Sequence, residues 1–273
     1  ASYQAHLRQA EILIRMDAAT TAHAMSQQVA TILRKLDFMT QQLSDVWSER
    51  GASELRRAVT KARRALPDGA LAQVAVADQN GDVVFSDLWP DDPSSSASPA
   101  SISIADREHF RVHLNDGCLA PRLFVSRPVL GRISLQWTVQ LSRPLCSGPK
   151  LMGVIVISIT AQHLSQALHD LFPEQSDIAA IVREDGEYLA RSTLLDAVMG
   201  QSVPATRPFL SVPDQEKGEY EAKGQSDGVL RYFAWHRTPG YPVLTVVGLN
   251  KDEHLASVLD LLRDSVWRNM IGT

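Results

Sequence analysis

The first part of the chain has the hydrophobic spacing of a long amphipathic helix. Residues 2–49 contain neither glycine nor proline, and apolar residues recur every three or four positions from Val29 to Trp47. At about 1.5 Å per residue, such a helix would be about 70 Å long, which is more than one ordinary domain needs. Gly51 interrupts the pattern, and a second helix is predicted over residues 53–66.

Beyond this region the hydrophobic period becomes strand-like, and two parts of the chain resemble each other. Residues 76–84 and 181–189 each have the pattern of a strand, a turn with Asn-Gly or Asp-Gly, and a second strand, at an offset of 105 residues. A strand and helix that include Ile155 and His163 match a similar pair that includes Val246 and His254, at an offset of 91 residues. The two matches indicate a duplicated unit, with chance similarity between amphipathic elements as the alternative.

Each copy is predicted to contain five strands joined mainly by hairpins, and therefore an antiparallel sheet. The strands predicted in the first copy are 71–77, 82–87, 122–130, 133–143 and 151–159. Those predicted in the second copy are 178–183, 187–192, 218–223, 229–236 and 242–249. The elements predicted outside the strands are a flexible loop at 90–101, a short helix at 106–114 and a last helix at 252–270. The predicted fold class is α+β.

Composition and motifs exclude several classes of protein. The chain is 44% hydrophobic and 21% charged, as globular proteins are, and its net charge of −4 argues against nucleic-acid binding. It has no P-loop, dinucleotide-binding fingerprint, hydrolase elbow or metalloprotease motif, so neither an enzyme nor a cofactor is predicted. His109 and His113 have metal-compatible spacing, but no third ligand is evident, so no metal is predicted.

Membrane-spanning segments are also absent from the pattern. The longest apolar run, 154–159, is far shorter than the ~18–20 residues that cross a bilayer, and it predicts a buried strand. The sequence begins within a helical pattern and without Met. We therefore expect it to be an excised piece of a longer protein, in which such segments lie outside the sequence.

Short motifs lie on successive predicted elements along the chain. They are Asp106-Arg107-x-x-Phe110, Ser126-Arg127-Pro128-Val129, Trp137, Gly153-Val154-Ile155, Ala190-Arg191 and Gly240-Tyr241-Pro242-Val243. Together with the long first helix and the two Gly-turn hairpins, this order resembles the double Cache sensor domain, the extracytoplasmic part of bacterial transmembrane receptors. In detail the chain is most similar to the sensors attached to GGDEF diguanylate cyclases.

The resemblance implies a domain plan and a function. The plan is a helical stalk at 1–66, a membrane-distal PAS-like module at 67–175, a membrane-proximal PAS-like module at 176–250 and, at 251–273, a helix toward a transmembrane segment. The distal module would bind a small molecule in the periplasm and control a cytoplasmic output, here a diguanylate cyclase. The alternatives are the sensor of a histidine kinase or chemoreceptor, or a structural dimerisation module without a ligand.

The resemblance also selects candidate ligand-binding residues on helix 106–114 and on the strands that follow it. They are Arg107, Phe110, His113, Ser126, Arg127 and Trp137. An Arg guanidinium such as that of Arg107 can hold a carboxylate through two hydrogen bonds, and the alternative is that Arg107 forms a structural ion pair with a nearby acid. Strict alternation places Arg127 as the one charge on an apolar face, where it needs either a ligand or a structural ion pair. Trp137 either lines the ligand pocket or is an ordinary core residue.

The amino-acid-sensing members of the family carry a Tyr before this helix and Arg-x-Trp-Tyr on it. Here Ile102 stands at the Tyr position, and Arg107-Glu108-His109-Phe110 replaces the second motif. We therefore expect a small carboxylate or another anion rather than a free amino acid.

Two further predictions concern covalent and quaternary structure. Cys118 and Cys146 either form one disulfide or remain two free thiols, and the sequence leaves both open. The first helix has more apolar residues around its circumference than contact with a single neighbouring surface would bury. The excess predicts a second contact, with the parallel N-terminal helix of an identical subunit in a homodimer. The residues in excess are Leu7, Ile12, Leu13, Ile14 and Met16.

Overall fold

The first helix is broken where the sequence predicted a break. The computed structural model of the chain describes residues 2–90, 102–115, 117–131, 136–171 and 176–271. Helix α1 (Ser2–Arg64) is interrupted at Gly51, which has a φ of 77° and a ψ of −165°. Side chains with a Cβ rarely adopt this conformation, so glycine permits the break.

Helix α1 buries one side along its length, as the three- and four-residue spacing predicted. The small residues Ala10, Ala18 and Ala22 are buried in its first part, together with Ile14 and Met25. In the next turns the buried positions include three leucines and a valine. These residues are Val29, Leu33, Leu36 and Leu43.

The first sheet has five antiparallel strands in the order β2-β1-β5-β4-β3. The strands are β1 (Leu71–Asp78), β2 (Val83–Ser86), β3 (Phe124–Leu130), β4 (Trp137–Ser147) and β5 (Lys150–Thr160). Helix α2 (Glu108–Arg111), which precedes β3 in the chain, is shorter than predicted. The first three residues of the predicted fourth strand, 133–135, lie outside the described residues, as does nearly all of the loop predicted at 90–101.

The second sheet repeats this arrangement, in the order β7-β6-β10-β9-β8. Its strands are β6 (Ile178–Arg183), β7 (Tyr188–Arg191), β8 (Lys217–Lys223), β9 (Leu230–Arg237) and β10 (Val243–Asn250). The helices of this part are α3 (Ala161–Leu171), α4 (Leu195–Val198), a 3₁₀ turn (Pro208–Leu210) and α5 (Lys251–Ile271). The predicted α+β fold, with two antiparallel PAS-like sheets between a long first helix and a last helix, is confirmed.

The registers of the two sheets show the duplication directly. Ala75 pairs with Ser86 and with Val156, while Ala180 pairs with Arg191 and with Val246. The hairpins are therefore offset by 105 residues, as predicted, but the later strands are offset by 90 residues rather than 91. The correction matters because a shift of one residue moves every strand side chain to the opposite face.

The chain divides into two compact units. One, the first-sheet unit, comprises residues 31–164, and the other, the second-sheet unit, comprises residues 1–30 and 165–273. In the first-sheet unit, a disulfide joins Cys118 to Cys146, with 5.7 Å between their Cα atoms. The alternative of two free thiols is therefore wrong. Among the residues that the structure describes, no helix combines the length and the apolar character needed to cross a membrane.

Candidate functional site

A cavity lies against one face of the first sheet. Its volume, counted as the space open to the centres of water-sized molecules, is about 50 Å³. One water needs ~10–15 Å³ by this measure, so the cavity holds about four waters or a ligand of that size. Its apolar lining consists of Ala75, Val83, Ile102, Ile104, Val129, Leu130, Gly131 and Val156. Its polar lining consists of Gln73, Arg107, His109, Gln140 and Ser158. We call this space the first cavity.

Two amides and a hydroxyl on the three central strands form the polar part of the lining. Gln73 on β1 and Gln140 on β4 both flank Ser158 on β5, because β1 and β4 pair with the two sides of β5. The Ser158 hydroxyl donates to Oε1 of Gln140 at 2.5 Å, and Nε2 of Gln73 donates to Oγ of Ser86 at 3.0 Å. These hydrogen bonds fix the orientation of polar groups that are themselves buried.

Arg107 supplies the cation of the first cavity. It is the residue before α2 and its side chain is partly buried. Within the described ranges, no carboxylate pairs with its guanidinium, and no side chain or carbonyl group accepts a hydrogen bond from it. A partly buried guanidinium that none of the described residues binds is available to a carboxylate, which it can hold in a bidentate arrangement.

His109 lies beside Arg107 in the same lining and is neutral at physiological pH. Its side chain is buried, and this burial, followed by the positive charge of Arg107, lowers its pKa to about 4. The imidazole therefore offers a neutral donor or acceptor rather than a second charge. The sequence indicated His109 only as half of a metal-compatible pair, and the described residues hold no group of three or more side chains placed for a metal.

Phe110 and His113, on and just after α2, are both buried, but neither side chain lines the first cavity. Phe110 belongs to a core cluster with Ala77, Val154 and Val156. The Nε2 atom of His113 lies 2.9 Å from Oγ of Ser142. Neither residue is part of the cavity lining as the structure has it.

The prediction that Arg127 lies on an apolar strand face is wrong. The register of β3 against β4 shifts between Val125 and Pro128, because proline cannot donate a hydrogen bond to the ladder. The bulge turns Arg127 outward, where its side chain is 53% exposed and lies 3.6 Å from a carboxylate oxygen of Glu108. Ser126 is buried in the bulge and accepts a hydrogen bond from the backbone N–H of Gln140 at 3.0 Å.

Trp137 begins β4 and is 39% exposed, so it is not a core residue and does not line the first cavity. Of the six candidates from the sequence, Arg107 alone therefore contributes to the described cavity lining. Gln73, Gln140 and Ser158 were not selected as candidates. What distinguishes them is that each is a polar residue within a strand whose side chains are buried on both faces of the sheet.

The charge of the first cavity favours an anion. Its described lining contains the cation Arg107 and no Asp or Glu. A carboxylate would meet a guanidinium, whereas an ammonium group would be desolvated without a carboxylate partner, which is costly. The amides and the hydroxyl add neutral hydrogen-bonding groups to this charge.

Comparisons with known proteins identify the fold. No protein-family model matches the chain, and no curated protein matches it. The extracellular domain of a protein described as a histidine kinase, rpHK1S-Z16, is similar with a TM-score of 0.75 at 21% identity, over 91% of this chain and 98% of that chain. This level of identity supports a shared fold and carries no residue roles.

Two chemoreceptors have the same fold. The ligand-binding domain of the Pseudomonas fluorescens chemoreceptor CtaA, in complex with L-isoleucine, gives a TM-score of 0.65 at 11% identity, over 92% of this chain and 98% of that chain. The ligand-binding domain of the Pseudomonas aeruginosa PAO1 amino acid chemoreceptor PctB, in complex with L-Arg, gives a TM-score of 0.62 at 16% identity. The match covers 86% of this chain and 94% of that chain. The chain thus has the fold of extracellular ligand-binding sensor domains.

Proposed function

We propose that this chain is the extracytoplasmic sensor domain of a bacterial transmembrane signalling receptor and that it binds a small carboxylate in the first cavity. The observation that carries the proposal is the Arg107 guanidinium in a cavity lining whose described residues include no acid. The fold, shared with ligand-binding domains of receptors, supports it.

The polar lining narrows the ligand class. Beside the cation, Gln73, Gln140 and Ser158 present amide and hydroxyl groups to a space that holds about four waters. A carboxylate with one neutral polar substituent, such as a short hydroxy acid, would use both parts of the lining. A free amino acid of the same size would place its ammonium group where the described lining offers no carboxylate.

The receptor around the domain is the second part of the proposal. Segments flanking the chain would anchor it in the inner membrane, and ligand binding would shift its preferred conformation to control a cytoplasmic output domain. A diguanylate cyclase output follows from the sequence resemblance. Because the solved neighbours come from a histidine kinase and chemoreceptors, those outputs are the alternative.

Three molecules with the same three-carbon skeleton test the ligand class: lactate, L-alanine and propionate. They carry a hydroxyl, an ammonium group or a hydrogen beside the carboxylate. We expect the NMR signals of the His109 imidazole, assigned with a His109→Gln variant, to shift most strongly with lactate, less with propionate and least with L-alanine. A larger response to L-alanine than to lactate contradicts the carboxylate assignment.

Arg107→Gln is the decisive variant, and Arg111→Gln is its matched control. Arg111 lies one turn further on, is exposed and does not line the first cavity. We expect Arg107→Gln to weaken lactate binding at least tenfold and Arg111→Gln to leave it unchanged, since hydrogen bonds to a charged group contribute about 1.5–3 kcal/mol. Equal affinities in the two variants would remove Arg107 from the site.

A further inference from the structure

The second-sheet unit contains a cavity at the position that corresponds to the first cavity. Ala180 and Val246 line it, and the sheet registers match these residues to Ala75 and Val156 of the first cavity. Tyr188 likewise takes the position of Val83. We call this space the second cavity; it offers about 30 Å³ to the centres of water-sized molecules.

The polar groups of the second cavity differ from those of the first. The position of Gln73 is taken by Ile178, and that of Gln140 is taken by Phe233, so the central strands present an apolar surface. The cation comes instead from the edge of the sheet. There, Arg191 on β7 replaces Ser86 of β2.

Arg191 is a deeply buried guanidinium, with only 3% of its side chain exposed. Its Nη1 donates a hydrogen bond to the hydroxyl of Ser226, and its Nη2 lies 3.9 Å from Oδ2 of Asp227, beyond hydrogen-bond distance. Asp227 is instead held by Arg231, whose Nη1 and Nη2 donate to its two carboxylate oxygens at 2.9 and 2.8 Å. One carboxylate therefore faces two buried guanidinium groups.

A third guanidinium increases the positive charge. Arg207 lines the second cavity and lies over the rings of Tyr220 and Phe233, at 5.4 and 5.6 Å from their centroids. Its Nη2 donates to the backbone carbonyl of Lys223 at 3.0 Å. The described lining of the cavity contains Arg191 and Arg207 and no acid.

Two tyrosines, Tyr188 and Tyr220, also line the second cavity. Within the part of the chain that the structure describes, neither Tyr188 nor Tyr220 forms a side-chain hydrogen bond, although both line the second cavity. Burial raises the pKa of both phenols, so both remain protonated donors at neutral pH. Burial also lowers the pKa of Arg191, as expected for a cation that Asp227 compensates only in part.

We propose that the second cavity is a further ligand site, which takes a short monocarboxylate with its oxygens between Arg191 and Arg207 and its alkyl chain against Ile178 and Phe233. The cavity has room for about two or three waters, so the ligands proposed for it are among the shortest carboxylates, acetate and propionate. In its described lining the central strands carry no amide, and the amide and hydroxyl of Gln225 and Ser226 lie after β8, outside the strands. The two sites would therefore differ in selectivity as well as in position.

The test is a calorimetric titration of the Arg107→Gln chain, in which the first cavity is disabled. We expect propionate to bind with a stoichiometry of one, and about fourfold more tightly than acetate because of its additional buried methylene group. Arg207→Gln added to this variant should weaken binding at least tenfold. Lys217→Gln, which removes an exposed cation from β8 outside the cavity, should leave it unchanged.

Arg191→Gln provides a second variant with the same expected loss, and the unfolding midpoint without ligand shows whether each variant is folded. Since Arg207 is only partly buried, its variant decides the question even if Arg191→Gln does not fold. The proposal is overturned if the Arg107→Gln chain binds no propionate, or if Arg207→Gln and Lys217→Gln bind it equally. It is also overturned if inorganic phosphate binds there and propionate does not. None of these results bears on lactate in the first cavity.

Discussion

The imidazole Nε2 of His113 lies 2.9 Å from the hydroxyl oxygen of Ser142. The single hydroxyl hydrogen of Ser142 is donated to the backbone carbonyl of His109 at 2.7 Å, so Ser142 must accept a hydrogen bond from Nε2 of His113. His113 is therefore the neutral tautomer with its hydrogen on Nε2. These two hydrogen bonds connect α2 and the segment after it to strand β4.

The neutrality of His113 and His109 predicts a loss of stability in acid. Burial lowers both pKa values to about 4, while both would be near 6.5 in the unfolded chain. Between these values the unfolded chain takes up protons that the folded chain does not, so the free energy of unfolding falls as pH falls from about 6.5 to 4. The expected slope is up to ~1.4 kcal/mol per pH unit for each histidine.

His113→Gln tests this prediction, because a Gln amide can donate to Ser142 but cannot titrate. Urea unfolding at several pH values between 4 and 7.5 should give a shallower loss of stability in acid for the variant than for the parent chain. His6→Gln, at an exposed position on α1, is the control and should keep the parental slope. If His113→Gln also keeps that slope, His113 does not titrate as described.

The ion pair between Asp37 and Arg143 is predicted to stabilise the first-sheet unit. Nε and Nη2 of Arg143 donate to the two carboxylate oxygens of Asp37 at 2.6 and 3.1 Å, and the side chains of Arg143 and Asp37 are 16% and 17% exposed. In a double-mutant cycle with alanine at both positions, we expect a coupling energy of about 1–3 kcal/mol, because both charges are largely removed from water.

The exposed pair Glu54 and Arg57 is a matched comparison for this cycle. Its nearest atoms are 2.7 Å apart, but the side chains are 40% and 77% exposed. The same cycle there should give about 0.5 kcal/mol or less, since surface ion pairs contribute little. Similar coupling energies for the two pairs would show that burial does not determine their strength.

The disulfide between Cys118 and Cys146 should contribute about 3.5 kcal/mol through the loop that it closes, in which the cysteines are 28 residues apart. A Cys118→Ser, Cys146→Ser double variant should lose this amount in denaturant unfolding. Reductant should destabilise the parent chain by a similar amount and leave the double variant unaffected. A parent chain that is equally stable with and without reductant contradicts the prediction.

The strands could be predicted from the sequence because hydrophobic alternation and turn chemistry agree at each hairpin. The Asn80-Gly81 and Asp185-Gly186 turns gave the correct offset of the two hairpins. The later offset was wrong by one residue because it aligned His163 with His254 on two helices, and helix positions do not set strand register. Strict alternation failed at Arg127 because Pro128 introduces a bulge that the pattern of apolar residues does not report.

The candidate site was less predictable than the fold for a physical reason. Gln73, Gln140 and Ser158 are far apart in the chain and meet because β1 and β4 both pair with β5. The order of strands in a sheet depends on long-range pairing, which local propensity does not specify. Arg107 was found because it belongs to a short local motif, whereas the residues opposite it carry no such motif.

The prediction of a homodimer rests on apolar side chains that α1 leaves exposed in its first turns. Ile12, Leu13 and Met16 are all exposed, whereas Ile14 between them is buried. An identical α1 packed in parallel would cover them. We expect sedimentation equilibrium to show association at high protein concentration. Leu13→Asp should abolish it, while Leu119→Asp, at another exposed leucine, should not. A chain that remains monomeric at every concentration, or that associates equally in both variants, would contradict this arrangement.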